Sequence, residues 1–230
     1  MAYKIVPSFL PASKYPLKSP YPMKAKYITI HNTANDAAAQ GEANYMKLNN
    51  NQVSYHVAID DKEVVEIIPF NRSAWHAGDG NGQGNRASIG IEICYSKSGG
   101  ARYKVAETNA IEYAAQALIQ LGLEPEDVKF HQEWSGKNCP HRILDEGRGD
   151  AFKAAIAKRY NEIKKGDKAP VKAEVKPKPK PAPAKPIADD IYRVKIDGKQ
   201  VGAYGSDKNV LEQVEKALKG DKKKIEVERV

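Results

Sequence analysis

Sulfur is scarce in this chain. Its 230 residues hold two cysteines, Cys94 and Cys139. Two are too few for a disulfide scaffold, so a buried thiol or a thiolate metal ligand is the expectation rather than a bridge. No run of about 18 apolar residues occurs, which excludes a membrane-spanning helix. The opening MAYKIVPSFLPASKYPLKSPYPMKAKY is broken by prolines and lacks a continuous apolar stretch. It does not read as a secretory signal, and a reduced compartment is expected. Aromatics make up only 8% of residues. The mean hydropathy of −0.63 implies that part of the chain is a solvated segment.

Charge is present but uneven. The formal net charge is +8, yet residues 1–160 carry nineteen basic and seventeen acidic side chains. The basicity belongs to the later residues. A nucleic-acid enzyme would concentrate it around its own cleft, which argues against a nucleic-acid partner. The stretch KAPVKAEVKPKPKPAPAKP, residues 168–186, has no aromatic and cannot bury a core. It reads as an extended spacer. The expected organisation is therefore a main domain over 1–163, a Pro/Lys-rich linker over 164–189 and a small domain over 190–230.

Within 1–163, strands and helices alternate. KYITIHNT sets Tyr27, Thr29 and His31 on one face and Ile28 and Ile30 on the other. QVSYHVAID and EVVEIIP flank the turn-like Asp60-Asp61. SIGIEICY places Ile89, Ile91 and Ile93 opposite Gly90, Glu92 and Cys94, and DVKFH is a short strand ending at His131. Helical spacing runs through DAAAQGEANYMKL, through AETNAIEYAAQALIQLG with Gly122 as C-cap, and through DAFKAAIAKRYNEI with Asp150 as N-cap. The fold class is α/β, a mixed central β-sheet flanked by helices. In the tail, IYRVKI and KQVGAY surround an Asp197-Gly198 turn. A helix over SDKNVLEQVEKALKG and a last strand KKIEVERV complete a ββαβ unit. So small a core invites self-association or a bound partner.

The residues able to ligate a metal are His31, His56, His76, His131, His141, Cys94 and Cys139. A catalytic zinc takes three protein ligands and keeps a fourth position open. His31 and His131 end strands, and Cys139 lies on a loop that can return to those ends, so these three make a workable tripod. The residues alone leave other choices open, including structural histidines.

YITIHNT, SYHVAIDD, AWHAGDG, SIGIEICY and HQEWSGKNCPHRI occur in this order over residues 1–163. Together they resemble the zinc-dependent N-acetylmuramoyl-L-alanine amidases of the type-2 family, of the Bacillus and Bacillus-phage endolysin kind. That fold is shared with T7 lysozyme and the peptidoglycan recognition proteins. The resemblance implies Zn2+ held by His31, His131 and Cys139, with Glu92 as proton carrier and Lys137 as oxyanion stabiliser. It also implies a substrate groove lined by Tyr55, Trp75 and His76. His141 matches no ligand position and is expected on a loop at the rim, and Glu133 is a weaker rival to Glu92. Cys94 is expected to be a packing thiol.

The function so implied is hydrolysis of the bond between N-acetylmuramic acid and the L-alanine of the stem peptide. The tail would bind a cell-wall polymer. An endolysin of this kind is expected to collect in the host cytoplasm and reach the wall through a holin. The alternative from another class is a non-catalytic peptidoglycan-binding protein.

Overall fold

The computed structural model describes residues 3–166, 192–197, 199–204, 214 and 225–229. Six strands of the N-terminal part share one sheet: β1 (Lys4–Pro7), β2 (Tyr27–Asn32), β3 (Val57–Ile59), β4 (Glu63–Glu66), β5 (Ser88–Ile93) and β6 (Val128–Phe130). Their spatial order is β1-β4-β3-β5-β2-β6. Only the β3–β4 hairpin is antiparallel, and every other neighbouring pair is parallel. This is the mixed sheet that the alternation of elements predicts.

Register decides which face does what. Ile28 pairs with Ile89 and Ile30 with Ile91, while Thr29 pairs with Gly90 and His31 with Glu92. The isoleucines are fully buried. Each contributes about 1.5–3 kcal/mol by leaving water. The opposite face carries the polar side chains, because successive strand residues point to opposite sides.

The helices are α1 (Tyr15–Lys18), α2 (Ala39–Leu48), α3 (Gln83–Ala87), α4 (Gly100–Leu121), α5 (Gln132–Ser135), α6 (His141–Asp145) and α7 (Gly149–Lys164). α4 packs on β3 and β5, and α7 packs on α4 through Phe152, Ile156 and Tyr160. Gly122 ends α4 in the left-handed region at φ 67° and donates its amide back into the last turn. Asp60 serves two elements. Its Oδ1 accepts the Lys62 and Glu63 amides in the β3–β4 turn, and its Oδ2 accepts the Ala39 amide at the start of α2. None of the described helices is long and apolar enough to cross a membrane.

Several boundaries differ from the sequence reading. α4 begins at Gly100, ahead of the periodic stretch that opens at Ala106. α7 begins at Gly149 with Arg148 as its N-cap, so Asp150 is not the cap. It lies in the first turn, where its charge complements the helix dipole. β1 has no signal of its own in sequence, and it exists because β4 offers a parallel edge. His141 opens α6 rather than sitting on a loop.

The chain divides into two compact units, Met1–Ala173 and Glu174–Val230. In the second, β7 (Tyr192–Ile196), β8 (Lys199–Tyr204) and β9 (Ile225–Arg229) form an antiparallel sheet in the order β8-β7-β9. Asp197 follows β7 with φ 49°, as a tight hairpin turn requires. The spacer 168–186 and most of the expected tail helix lie outside the described residues.

One buried charge shapes the N-terminal unit. Lys18 is fully buried, and its ammonium donates to Asn49 Oδ1 at 2.8 Å, Asn51 O at 2.6 Å and Val53 O at 3.1 Å. Lys14 holds the Asn49 carbonyl and Asn50 Oδ1 beside it. The loop after α2 is thus wrapped around two ammonium groups. Removing the Lys18 ammonium takes the donor from the Asn51 and Val53 carbonyls, while Asn49 Oδ1 keeps the Asn51 amide. Lys18→Met is expected to lower unfolding stability by about 1–3 kcal/mol, read by denaturant titration. An unchanged midpoint would show that the loop does not depend on Lys18.

Candidate metal centre

Three parallel strands end side by side, and the site lies outside their carboxyl ends, as in other α/β sheets. β2 delivers His31 and β5 delivers Glu92. β6 runs directly into His131, after which the chain turns into α5. It then doubles back, with the Gln132 amide donating to the Cys139 carbonyl at 3.0 Å and the Cys139 amide to the Lys137 carbonyl at 2.7 Å. This return brings Cys139 under His31.

His31, His131 and Cys139 are all buried, and one donor atom of each lies within 4.8 Å of the others. His31 Nδ1 is 3.1 Å from His131 Nδ1 and 3.7 Å from Cys139 Sγ. A tetrahedral zinc with ordinary bond lengths separates two nitrogens by about 3.3 Å and a nitrogen from a sulfur by about 3.6 Å. The three donors therefore fit Zn2+, both in spacing and in their mixed nitrogen–sulfur chemistry.

The electrostatics agree. Burial, reinforced by the neighbouring histidines, holds His31 well below the usual imidazole range. Burial and then Lys137 lower His131 to about 4. Both rings are neutral and ready to ligate at neutral pH. Burial and the Glu92 charge push the Cys139 thiol up to about 12, against the Asn32 amide and Lys137.

The sequence matches the N-acetylmuramoyl-L-alanine amidase family (Amidase_2) over residues 21–142. The chain belongs to this family. It is 57% identical over 164 residues to the N-acetylmuramoyl-L-alanine amidase CwlA of Bacillus subtilis (strain 168), covering 71% of this chain and 60% of that protein. It is 55% identical over 162 residues to XlyB of the same organism, covering 70% of this chain and 51% of that protein. It thus spans less than two thirds of either relative. Among solved structures, PlyL shares 53% identity with a TM-score of 0.66, covering 69% of this chain and 99% of that chain. The PlyG catalytic domain shares 52% identity with a TM-score of 0.66, covering 68% of this chain and 95% of that chain.

The other residues singled out from the amidase resemblance are distributed around the cluster. Glu92 is half-buried, paired in register with His31. Its Oε2 is enclosed without a hydrogen-bond partner among the described residues. Burial, then the Glu42 charge, raises its pKa to about 8 against the pull of Lys137. That lies close to what a proton carrier at neutral pH needs. Lys137 is exposed on the turn between α5 and α6, yet its charge reaches His31, His131, Cys139 and Glu92.

Beside Glu92 opens a cavity of about 440 Å3, lined by Thr33, Glu42, Asn49, Asn51 and Tyr55 among others. Tyr55 contributes to its wall, but its hydroxyl donates to Glu42 Oε2 at 2.5 Å. Asn35 donates to the other Glu42 oxygen at 2.7 Å. Burial and these carboxylates raise the Tyr55 pKa further, so the phenol stays protonated. Glu42 had no signal of its own in sequence, where it is one acidic residue on an amphipathic helix.

Trp75 is half-buried with its ring edge-on to Tyr21. His76 departs from the expectation of a groove residue. It is buried, and both its ring nitrogens are engaged, by His31 at 3.0 Å and by the Ser88 carbonyl at 3.2 Å, leaving no atom for substrate. Cys94 is fully buried in the core as a free thiol. Glu133 accepts from the Phe130 amide and Lys153, which ties it to the fold rather than to proton transfer. His141 and His56 lie outside the ligand cluster.

Because the two imidazoles are already neutral, the proton that zinc must displace is that of the Cys139 thiol. Apparent zinc affinity should rise about tenfold per pH unit between about pH 6 and 8, measured by competition with a chromophoric chelator. An affinity independent of pH would remove Cys139 from the ligand set.

Proposed function

We propose that this chain hydrolyses the amide between the lactyl group of N-acetylmuramic acid and L-alanine of the peptidoglycan stem peptide. The reading is carried by the His31, His131 and Cys139 cluster, with Glu92 between it and an open groove, in a chain of the amidase family. The amidase names of CwlA and XlyB point the same way.

Amides are poor electrophiles and water is a poor nucleophile. Bound zinc supplies Lewis acidity to the carbonyl and acidifies water. The chain supplies the rest. Glu92, which lines the cavity, takes a proton from the attacking water and delivers it to the leaving alanine nitrogen. The C–N bond breaks, the hydroxyl stays on the lactyl carbon and the proton leaves with the amine. Lys137 holds a positive charge near the carbonyl oxygen as negative charge develops there. Tyr55, tied to Glu42, borders the groove for sugar and peptide, whereas Trp75 packs on Tyr21 and is not part of the cavity wall.

The second unit, an antiparallel sheet with a basic surrounding sequence, is proposed as the wall tether. A wall rich in anionic polymer attracts such a segment, and tethering raises the local enzyme concentration.

Mass spectrometry of digested peptidoglycan tests the reading directly. New alanine amino termini with intact glycan chains are expected, and their loss on chelation. A zinc-loaded chain that binds walls without releasing alanine amino groups would mark a non-catalytic binder instead. Glu92→Gln is expected to retain zinc and lower hydrolysis by about 10²–10⁴-fold; near-native turnover would exclude Glu92 from the mechanism. Deleting 190–230 should leave hydrolysis of soluble muropeptides intact and weaken co-sedimentation with whole walls. Unchanged sedimentation would refute the tether.

A further inference from the structure

The loop from His76 to Asn85 reaches both metal histidines from behind. His31 turns Nδ1 toward His131 and Cys139, and its other nitrogen, Nε2, lies 3.0 Å from His76 Nδ1. His76 Nε2 in turn lies 3.2 Å from the Ser88 carbonyl oxygen. A carbonyl can only accept, so His76 carries its proton on Nε2 and presents a lone pair on Nδ1. That lone pair accepts the His31 Nε2 proton, which leaves His31 Nδ1 bare and aimed into the ligand cluster. The same loop lies against the other ring, since a Cβ on Gly78 would lie 3.4 Å from His131 Nε2.

The loop is itself anchored. Asn85, buried, accepts the His76 amide at 2.7 Å and the Ala77 amide at 2.8 Å on its Oδ1, and donates to the Gly80 carbonyl at 2.9 Å. Asp79 accepts the Gly84 and Asn85 amides. On the sheet side, Gly90 leaves the space that the His76 ring fills, for a Cβ there would lie 2.8 Å from two ring carbons.

We propose that His76 is a positioning residue for the metal, locking His31 in the tautomer that offers Nδ1 to the ion, with Asn85 fixing the loop that carries it. This rests on the metal reading of His31, His131 and Cys139. Hydrogen-bond partners behind metal ligands are typically worth 10–100-fold in affinity.

Two substitutions separate a hydrogen-bonding role from a packing one. His76→Phe keeps the ring and loses the acceptor. His76→Asn loses volume but keeps an oxygen near the position of Nδ1. Zinc affinity by chelator competition, with melting of the apo forms as a folding control, should fall about 10–100-fold for His76→Phe. Most of that loss should be recovered in His76→Asn. If the order is reversed, or His76→Phe binds like the wild type, the proposal is overturned. Should His76→Phe not fold, the zinc-loaded wild type decides. A nitrogen–nitrogen coupling across the hydrogen bond from His31 Nε2 to His76 Nδ1 is expected in labelled protein, and a His31 proton found on Nδ1 would overturn the proposal. A wild-type chain that binds no zinc overturns the metal reading and this inference with it, whereas unaltered zinc binding in the variants overturns this inference alone.

Discussion

The parallel register of β5, β2 and β6 is the constraint on which the rest depends. It aligns Ile28 with Ile89 and Ile30 with Ile91 on one face, and His31 with Glu92 on the other. It also sets β6 so that the residue after Phe130 emerges beside His31. A slip of one residue would carry isoleucines to the polar face and His31 into the core, so burial of the apolar face enforces the site geometry. The same pairing that contributes the hydrophobic stabilisation therefore sets the spacing of the metal donors.

On the polar face the chain has gathered four of its five histidines, all buried. Burial keeps them neutral, and each neutral ring then needs a defined donor and acceptor. His56 accepts the Gly90 amide on Nδ1 and faces the Arg72 carbonyl with Nε2. His76 faces the Ser88 carbonyl in the same manner. These rings form a scaffold of oriented imidazoles behind two that face the metal position. Cys139 is the thiol of the ligand set, and Glu92 and Lys137 act on it with opposite sign, the carboxylate raising its pKa and the ammonium lowering it.

The groove side is built differently. There the wall is a loop of asparagines held by the ammonium groups of Lys14 and Lys18, and a helix whose Glu42 fastens Tyr55 and Asn35. Neutral acceptors around a buried cation and a carboxylate between two donors keep this wall in place while leaving the cavity next to Glu92 open.

The alternation in YITIHNT and SIGIEICY was enough to assign two central strands and to put His31 and Glu92 on the face away from the isoleucines, since side-chain direction along a strand is a local property. The helical stripes of α4 and α7 were legible for the same reason, though their first turns were not, because helix starts depend on what the flanking residues meet. β1 was invisible, as four residues carry no period and its partner lies far along the chain. The motif order in sequence implied the family and its ligands. What sequence could not decide was how distant residues face one another. His76 sits in a Gly-rich loop and read as a groove residue, yet the fold turns it inward against His31, and Glu42 became notable only when α2 came to rest over Tyr55. Local chemistry and periodicity follow from the order of residues. Which nitrogen faces which donor depends on packing between segments far apart in the chain, and only the tertiary structure decides that.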